Sequence, residues 1–113
     1  MSDSCLFCKI VRGEIPADKL YEDDDIIAFR DIAPQAPVHF LIVPRKHIGR
    51  PAEVDREDER LTGKLIRMAG EIAAREGVEQ YRLVMNNGPE AGQTVFHIHL
   101  HVLGGRNMNW PPG

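Results

Sequence analysis

The sequence predicts a single domain that combines helices with a sheet, one face of which a long helix covers. Five short strand patterns, three before the long helix and two after it, lie at residues 20–22, 26–30, 38–43, 81–86 and 97–103. A long amphipathic stretch separates the two groups, and a short one precedes them. At 113 residues the chain is long enough for one domain with its own core.

The short helix is predicted over residues 2–13. Apolar residues recur there with helical spacing, at Leu6, Phe7, Ile10 and Val11. Gly13 can end the helix because glycine adopts the left-handed conformation without strain. Cys5 and Cys8 are three residues apart and therefore share one face of this helix.

Two cysteines at this spacing are half of a candidate zinc site, which needs two further ligands. His47 and His97 are the only plausible candidates for them. The alternative is a pair of reduced thiols at the edge of the core, where a free cysteine behaves as a small hydrophobe.

The first three strands are separated by turn-forming residues. Three aspartates at residues 23–25 predict a solvated turn, and Pro34 and Pro37 prevent regular pairing before the third strand. The third strand carries His39 inside an apolar run. His39 is therefore either a core histidine with satisfied hydrogen bonds or part of a site.

The long helix is predicted between Asp55, which can cap its first turn, and Gly77, which can end it. Its apolar positions form one stripe, at Leu61, Leu65, Met68, Ala69, Ile72 and Ala73. We interpret this stripe as a packing surface for the sheet.

Composition excludes several classes of function. The formal net charge of -3 argues against nonspecific binding of nucleic acids, which requires a basic surface. No apolar run has the length of a membrane span, and the first residues lack a signal-peptide pattern. These features predict a cytoplasmic protein without a membrane partner. In that compartment the two cysteines are not expected to form a structural disulfide.

The last predicted strand carries three of the five histidines. Side chains of an extended strand alternate between its two faces, so His97, His99 and His101 share one face. The other face is apolar, with Ile98, Leu100 and Val102. Neighbouring imidazoles are poor packing groups because each has polar nitrogens to satisfy. This face is expected to meet a polar cleft, a metal or a ligand; the alternative is a solvated face.

A polar loop at residues 87–94 leads into the histidine strand. Gly92 allows a close approach of the backbone to a ligand, and N–H groups beside Gln93 and Thr94 could bind phosphate oxygens. The alternative is an ordinary turn. Near the end of the chain, Trp110 is expected to dock, either on a second subunit or on its own domain.

The segment His97-Ile98-His99-Leu100-His101-Val102-Leu103 matches the His-φ-His-φ-His-φ-φ signature of the histidine triad (HIT) superfamily. The chain resembles its Hint branch, the histidine triad nucleotide-binding proteins, over nearly its whole length. Further matching segments are residues 14–17, 31–37, 39–41, 44–48, 92–96, 104–106 and 110–113. The resemblance implies an α+β subunit with a HIT-like fold, in which a five-stranded antiparallel sheet is accompanied by one long and one short helix. Two such subunits would join in a homodimer. It also implies one domain over residues 1–113, whose tail at 104–113 reaches the active site of the partner.

The resemblance further implies a hydrolase of purine nucleoside 5′-phosphoramidates, of the adenosine 5′-monophosphoramidase type. Its nucleophile is the middle histidine, His99, which forms a nucleotidyl-histidine intermediate. The implied catalytic set is His39, His97, His99 and His101. The implied substrate-binding set is Asp31, Ile32, Asn86, Gly92, Gln93, Thr94, His99, His101 and Trp110. The implied ligands of a structural zinc are Cys5, Cys8, His47 and His97. No cofactor is required for catalysis, since histidines and amides supply the donors.

The sequence departs from the pattern of this branch at two positions. Thr94 stands where serine is frequent, and Asn87 stands where a carboxylate is frequent. Alternative functions are a dinucleoside polyphosphate hydrolase, a nucleotidyl transferase, or a nucleotide-binding interaction module with little turnover. A purely structural zinc domain would leave His99 and His101 unexplained.

Overall fold

The structure is a computed structural model that describes residues 4–113. Its strands are β1 (Lys19–Glu22), β2 (Ile26–Arg30), β3 (Val38–Pro44), β4 (Tyr81–Val84) and β5 (Leu100–Gly104). Its helices are α1 (Leu6–Val11) and α2 (Glu59–Arg75), with single 3₁₀ turns at Pro51–Glu53, Arg56–Asp58 and Pro89–Ala91. The predicted start of the short helix at residues 2 and 3 lies outside the described residues.

The five strands form an antiparallel sheet in the order β1-β2-β3-β5-β4, which confirms the expected α+β fold. The last strand of the chain is inserted between β3 and β4. This insertion places His101 opposite Leu41 on one side and Val84 on the other. The histidine strand therefore lies in the interior of the sheet, where both neighbours restrain it.

Both helices end at the glycines that the sequence indicates. At the end of α2, the N–H of Gly77 donates to the Ala74 carbonyl at 3.1 Å and that of Val78 donates to the Ala73 carbonyl at 3.0 Å. This pair of bonds is the Schellman motif, which requires a left-handed residue. Gly77 has a φ of +83° and Gly13 after α1 a φ of +76°.

The start of the long helix differs from the prediction by one turn. Asp55 accepts the Glu57 N–H at 2.9 Å, and Asp58 accepts the Asp55 N–H at 3.2 Å. This capping box closes a 3₁₀ turn at Arg56–Asp58, and α2 follows from Glu59. Neither helix of residues 4–113 is long and apolar enough to cross a membrane.

The sheet has an apolar cluster on each face. The α2 stripe packs on one face against side chains that include Phe40, Ile98, Leu100 and Val102. On the other face, Phe7 and its neighbours in α1 pack against alternate residues of β2 and β3: Ile27, Phe29, Leu41 and Val43. The alternation predicted from the histidine strand therefore holds, since its apolar residues face α2.

Two strand boundaries differ from those expected. The fourth strand ends at Val84 instead of residue 86, and the ladder of the fifth begins at Leu100 instead of residue 97. Residues 97–99 lie outside the ladder, with a bend at His97, and the Ile98 N–H donates instead to the Ile48 carbonyl at 2.7 Å. His97 and His99 consequently owe their positions to the loop after β3 and to side-chain contacts.

Candidate active site

The His99 imidazole lies against the face that carries α1 and is 7% exposed. Its Nδ1 is 2.8 Å from the His97 carbonyl oxygen, so Nδ1 carries the proton and donates it there. The Phe7 ring meets the His99 ring edge-on at 5.0 Å between centroids. With Nδ1 protonated, Nε2 of the neutral ring carries the lone pair, which is the state that a nucleophile requires.

His101 has the opposite tautomer, fixed by a chain of hydrogen bonds. The Gln35 N–H donates to His39 Nδ1 at 3.0 Å, so the His39 proton resides on Nε2. His39 Nε2 lies 3.0 Å from His101 Nδ1 and donates to it. His101 Nδ1 is thus an acceptor, and the neutral His101 ring carries its proton on Nε2. The two histidines therefore offer a lone pair and an N–H donor two residues apart.

Burial keeps these imidazoles neutral. It lowers the pKa of His99, against the opposing effects of the His97 carbonyl and of Asp31. Burial, together with the neighbouring imidazoles, lowers the pKa of His101 to about 4, and Asp31 opposes this shift. Burial also lowers the pKa of His39, again opposed by Asp31. At neutral pH the histidine group is consequently uncharged.

Asp31 and Ile32 follow β2 at the edge of this group. One carboxylate oxygen of Asp31 accepts the Ala33 N–H at 2.8 Å, and the other lies 3.4 Å from His39 Nε2. Ile32 is fully exposed, at 101% of its reference area. A carboxylate and an exposed apolar side chain side by side fit a ligand that carries hydroxyl groups next to a flat apolar ring.

The loop at residues 86–94 differs in detail from the expected phosphate loop. The N–H groups of Gly92 and Gln93 donate to carbonyls within the loop, those of Pro89 and Gly88, each at 3.0 Å. The N–H of Thr94 makes no hydrogen bond within residues 4–113, so this backbone donor remains free for an anion. A Cβ at position 92 would lie 3.5 Å from the Asn86 amide nitrogen.

Two polar side chains of this region are occupied by the protein itself. Gln93 is 2% exposed; it accepts the Gly88 N–H and donates to the Gly49 and Val95 carbonyls. Asn87 accepts the Ala52 N–H at 2.8 Å and so joins this loop to the turn after β3. The Gln93 side chain therefore braces the loop through hydrogen bonds with three backbone groups.

The four residues expected to bind zinc lie together. We call Cys5, Cys8, His47 and His97 the thiol–imidazole cluster; one ligand atom from each lies within 4.8 Å of the others. His97 Nδ1 is 3.4 and 3.5 Å from the two sulfurs and 3.2 Å from His47 Nδ1, and the His47 to Cys8 distance is 3.2 Å. Metal–ligand bonds of about 2.3 Å to sulfur and about 2.05 Å to nitrogen place tetrahedral S and N ligands about 3.6 Å apart and two nitrogens about 3.3 Å apart. The spacings observed are close to these values.

The orientation of His97 also fits a metal ligand. Its Nε2 lies 2.7 Å from the Pro44 carbonyl oxygen and donates to it, so the lone pair on Nδ1 points into the cluster. The ring is completely buried, and burial lowers the pKa of His97 to about 4. Cys5 accepts the Cys8 N–H at 3.3 Å as the cap of α1. The cluster can therefore hold a divalent metal with the ligands in their deprotonated forms.

Trp110 lies outside this arrangement within one chain, and its ring is 82% exposed. The tail before it is held by two backbone contacts, from Arg106 to the Gln35 carbonyl and from Arg82 to the Asn109 carbonyl. The described chain thus fixes the path of the tail without covering the tryptophan.

Sequence reasoning did not find two contacts of the site. One is the ring of Phe7, which the helical spacing predicts only as an apolar residue of the short helix, and the other is the Pro44 carbonyl. The adjacency of Phe7 to both cysteines was a signal, because any site built on them brings its ring along. Nothing in the sequence indicates the carbonyl, since every residue carries one.

The chain is similar to known proteins along its full length. The HIT domain family model matches residues 12–108. An uncharacterized HIT-like protein of Synechococcus elongatus is 54% identical over 114 residues, which cover 100% of both chains. The crystal structure of a HIT family hydrolase from Legionella pneumophila has a TM-score of 0.95 and 53% identity, covering 97% of this chain and 100% of that one. A histidine triad nucleotide-binding protein from Candida albicans has a TM-score of 0.82 and 30% identity, covering 96% and 83%. This chain belongs to the HIT domain family.

Proposed function

We propose that this protein is a hydrolase of purine nucleoside 5′-phosphoramidates, belonging to the Hint branch of its family. The observation that carries the proposal is the tautomer of His99, whose Nδ1 proton is held by the His97 carbonyl at 2.8 Å. That bond leaves the Nε2 lone pair for a phosphorus atom. The names of two similar proteins, a HIT family hydrolase and a histidine triad nucleotide-binding protein, support hydrolysis and nucleotide binding.

The proposed reaction proceeds in two displacements. In the first, the Nε2 lone pair of His99 forms a bond to phosphorus, the P–N bond breaks, and the amine leaves with one proton taken from solvent. In the second, water attacks phosphorus, the P–Nε2 bond breaks, and one proton is returned to solvent with the nucleoside monophosphate. Splitting one difficult displacement into two easier ones is the gain of a covalent intermediate.

Other hydrogen-bond donors of the site would stabilise the negative charge on the phosphoryl oxygens of this intermediate. The Nε2–H of His101 is positioned to donate to a phosphoryl oxygen or to the departing amine, and the Thr94 N–H and the Asn86 amide are further donors. A single preorganised donor of this kind contributes about 3 kcal/mol to lowering a barrier in comparable sites. Asp31 and Ile32 are proposed to bind the ribose hydroxyls and the purine.

The His99→Gly variant tests this function. We expect it to lose hydrolysis of an adenosine phosphoramidate while AMP still binds, measured by calorimetry. Thr94→Ser is the matched control, since it keeps the hydroxyl group and should keep turnover. Hydrolysis by His99→Gly within about tenfold of wild type, a barrier change of about 1.4 kcal/mol, would show that His99 is not the nucleophile. Diadenosine polyphosphate, assayed in parallel, separates the polyphosphate hydrolase alternative.

We further propose that the thiol–imidazole cluster holds a structural zinc ion. The donor set, the spacings and the His97 lone pair support this, and a cavity of about 370 Å³ that opens on Cys5 and His47 provides an entry path. The metal would join α1, the loop after β3 and the chain before β5, without a role in bond making. Its thiolate ligands require a reducing compartment, in agreement with the expected cytoplasmic location. Metal analysis of protein purified without chelator should give about one zinc ion per chain.

We also propose a homodimer in which the tail at residues 104–113 contributes Trp110 to the site of the partner. The exposed tryptophan supports this, together with the free edge of β4, where Leu83 is 36% exposed, and Ile66 of α2, 61% exposed. Light scattering should give a mass of two chains, and a monomer at micromolar concentration would contradict it.

A further inference from the structure

The proposed nucleophile lies just outside the sheet ladder. β5 begins at Leu100, and the residue before it is His99. The backbone here is held by the hydrogen bond from the Ile98 N–H to the Ile48 carbonyl, 2.7 Å long. Ile48 directly follows His47, a member of the thiol–imidazole cluster. The chain that presents His99 is therefore fixed by the cluster segment as well as by the strand that follows.

Three contacts surround the His99 ring, and one of them is the His101 ring, 5.1 Å away between centroids. The other two come from the cluster and from the helix turn that carries its cysteines. One is the His97 carbonyl, which accepts the Nδ1 proton and belongs to a residue whose ring is in the cluster. The other is the Phe7 ring, which meets His99 edge-on at 5.0 Å and His97 at 6.0 Å between centroids. Phe7 stands between Cys5 and Cys8 in the chain, so the backbone turn that carries the two sulfurs also carries this ring.

Helix α1 is too short to be stable without contacts to the rest of the protein. It has six residues, whereas an isolated helix of fewer than about 12–15 residues is marginal in water. Its buried side chains Phe7, Cys8 and Ile10 pack on the sheet. A metal bound by Cys5 and Cys8 on α1 and by two histidines elsewhere in the chain would fasten the helix and the His97 backbone to one point.

We propose that the thiol–imidazole cluster, when it holds Zn²⁺, positions the His99 imidazole for attack through the His97 carbonyl and the Phe7 ring. This inference rests on the proposed phosphoramidase function and deepens it. Phe7 and His97 are positioning residues in this scheme. Without the metal, the His99 ring gains freedom, so the chemical step slows, whereas nucleotide affinity persists because Asp31 and the loop at residues 86–94 lie outside the cluster.

The first experiment compares zinc-loaded protein with protein stripped by a chelator. Long-range ¹H–¹⁵N NMR of ¹⁵N-histidine protein reports the tautomer of each ring without turnover. We expect one fixed Nδ1–H tautomer of His99 in the loaded protein and an averaged spectrum after stripping. The kcat for an adenosine phosphoramidate should fall about 10- to 100-fold, the range for loss of groups that orient an active residue, while the Kd for AMP changes little. Readdition of Zn²⁺ should restore both. An unchanged His99 spectrum and kcat, or failure to bind zinc, overturns the proposal.

A second experiment, on a variant that keeps the zinc ligands, tests the positioning role if the protein without zinc unfolds. Phe7→Leu keeps all four ligands, and we expect it to retain zinc but to broaden the His99 tautomer signals and lower kcat at unchanged KM. Ile10→Ala is the matched control: it removes a buried side chain from the same helix without touching His99, and should lower stability but leave the tautomer and kcat unchanged. Equal effects of the two variants, or no effect of Phe7→Leu, would overturn the proposal.

The spectra keep this inference distinct from the proposed function. If the loaded protein hydrolyses no phosphoramidate, the proposed function fails, and the His99 tautomer still shows whether zinc orients the ring. If hydrolysis is observed and is independent of zinc and of Phe7, the function stands and the positioning role is refuted.

Discussion

Replacement of Gln93 by alanine tests how the loop between β4 and β5 is held. The Gln93 side chain is 2% exposed; it accepts the Gly88 N–H at 2.8 Å and donates to the carbonyls of Gly49 at 2.7 Å and Val95 at 3.1 Å. The variant leaves one N–H and two carbonyls without these partners. Each lost hydrogen bond costs about 1 kcal/mol, so we expect the free energy of unfolding to fall by about 3 kcal/mol.

The assay is urea unfolding followed by circular dichroism at equal protein concentrations. Gln80→Ala is the matched control because Gln80 is exposed, and it should change the free energy of unfolding by less than about 0.5 kcal/mol. If Gln93→Ala were as mild as this control, the bracing role would be refuted. If it were mild and also lowered the affinity for AMP at least tenfold, the side chain would be a ligand contact instead.

Three further predictions concern a titration, a turn and the tail. Burial and the neighbouring imidazoles lower the pKa of His101 to about 4. Between pH 6.5 and 4 the unfolded state therefore binds a proton that the folded state does not bind. Stability should therefore fall by up to about 3 kcal/mol as the pH decreases through this range, and urea titrations of His101→Asn should lack this component; an unchanged pH profile would contradict it. Gly77→Ala, at a φ of +83°, should lower the free energy of unfolding by about 1 kcal/mol, and a gain in thermal stability would argue against the left-handed turn. Trp110→Ala should lower kcat/KM about tenfold and leave the free energy of unfolding of the dimer nearly unchanged. Kinetics identical to those of the wild type would show that the tail is not part of the site.

The faces of the histidine strand could be predicted from the sequence, and its boundaries could not. Ile98, before the ladder, and Val102, within it, both pack on the side of α2, as the alternation predicts. The ladder begins at the pair of Leu100 with Ile42, although β3 continues to Pro44. The partner of the Ile98 N–H is Ile48, fifty residues earlier, and no local pattern indicates it.

The thiol–imidazole cluster and the loop also combine features that local sequence patterns predict with features that depend on residues far away in the chain. The spacing of the two cysteines indicated half of a site, and only two histidines suited the rest; the pairing of β3 with β5 then brings those histidines together. For the loop, composition indicated a polar turn. It could not show that Gln93 faces inward, because one of its partners is the Gly49 carbonyl in another loop.

The two histidines of the proposed reaction have the same ring, lie two residues apart and are both uncharged, yet they have opposite tautomers. This difference cannot come from the imidazoles. It arises because His99 meets a carbonyl at Nδ1, whereas the chain from the Gln35 N–H through His39 supplies a donor at Nδ1 of His101. Two rings held by carbonyls would give two lone pairs, and two held by donors would give two N–H groups. In the proposed reaction, a nucleophile and a donor that function at the same pH therefore depend on two backbone groups, the His97 carbonyl and the Gln35 N–H. His39 would act through His101, because its Nε2–H occupies His101 Nδ1 and leaves the His101 proton on Nε2.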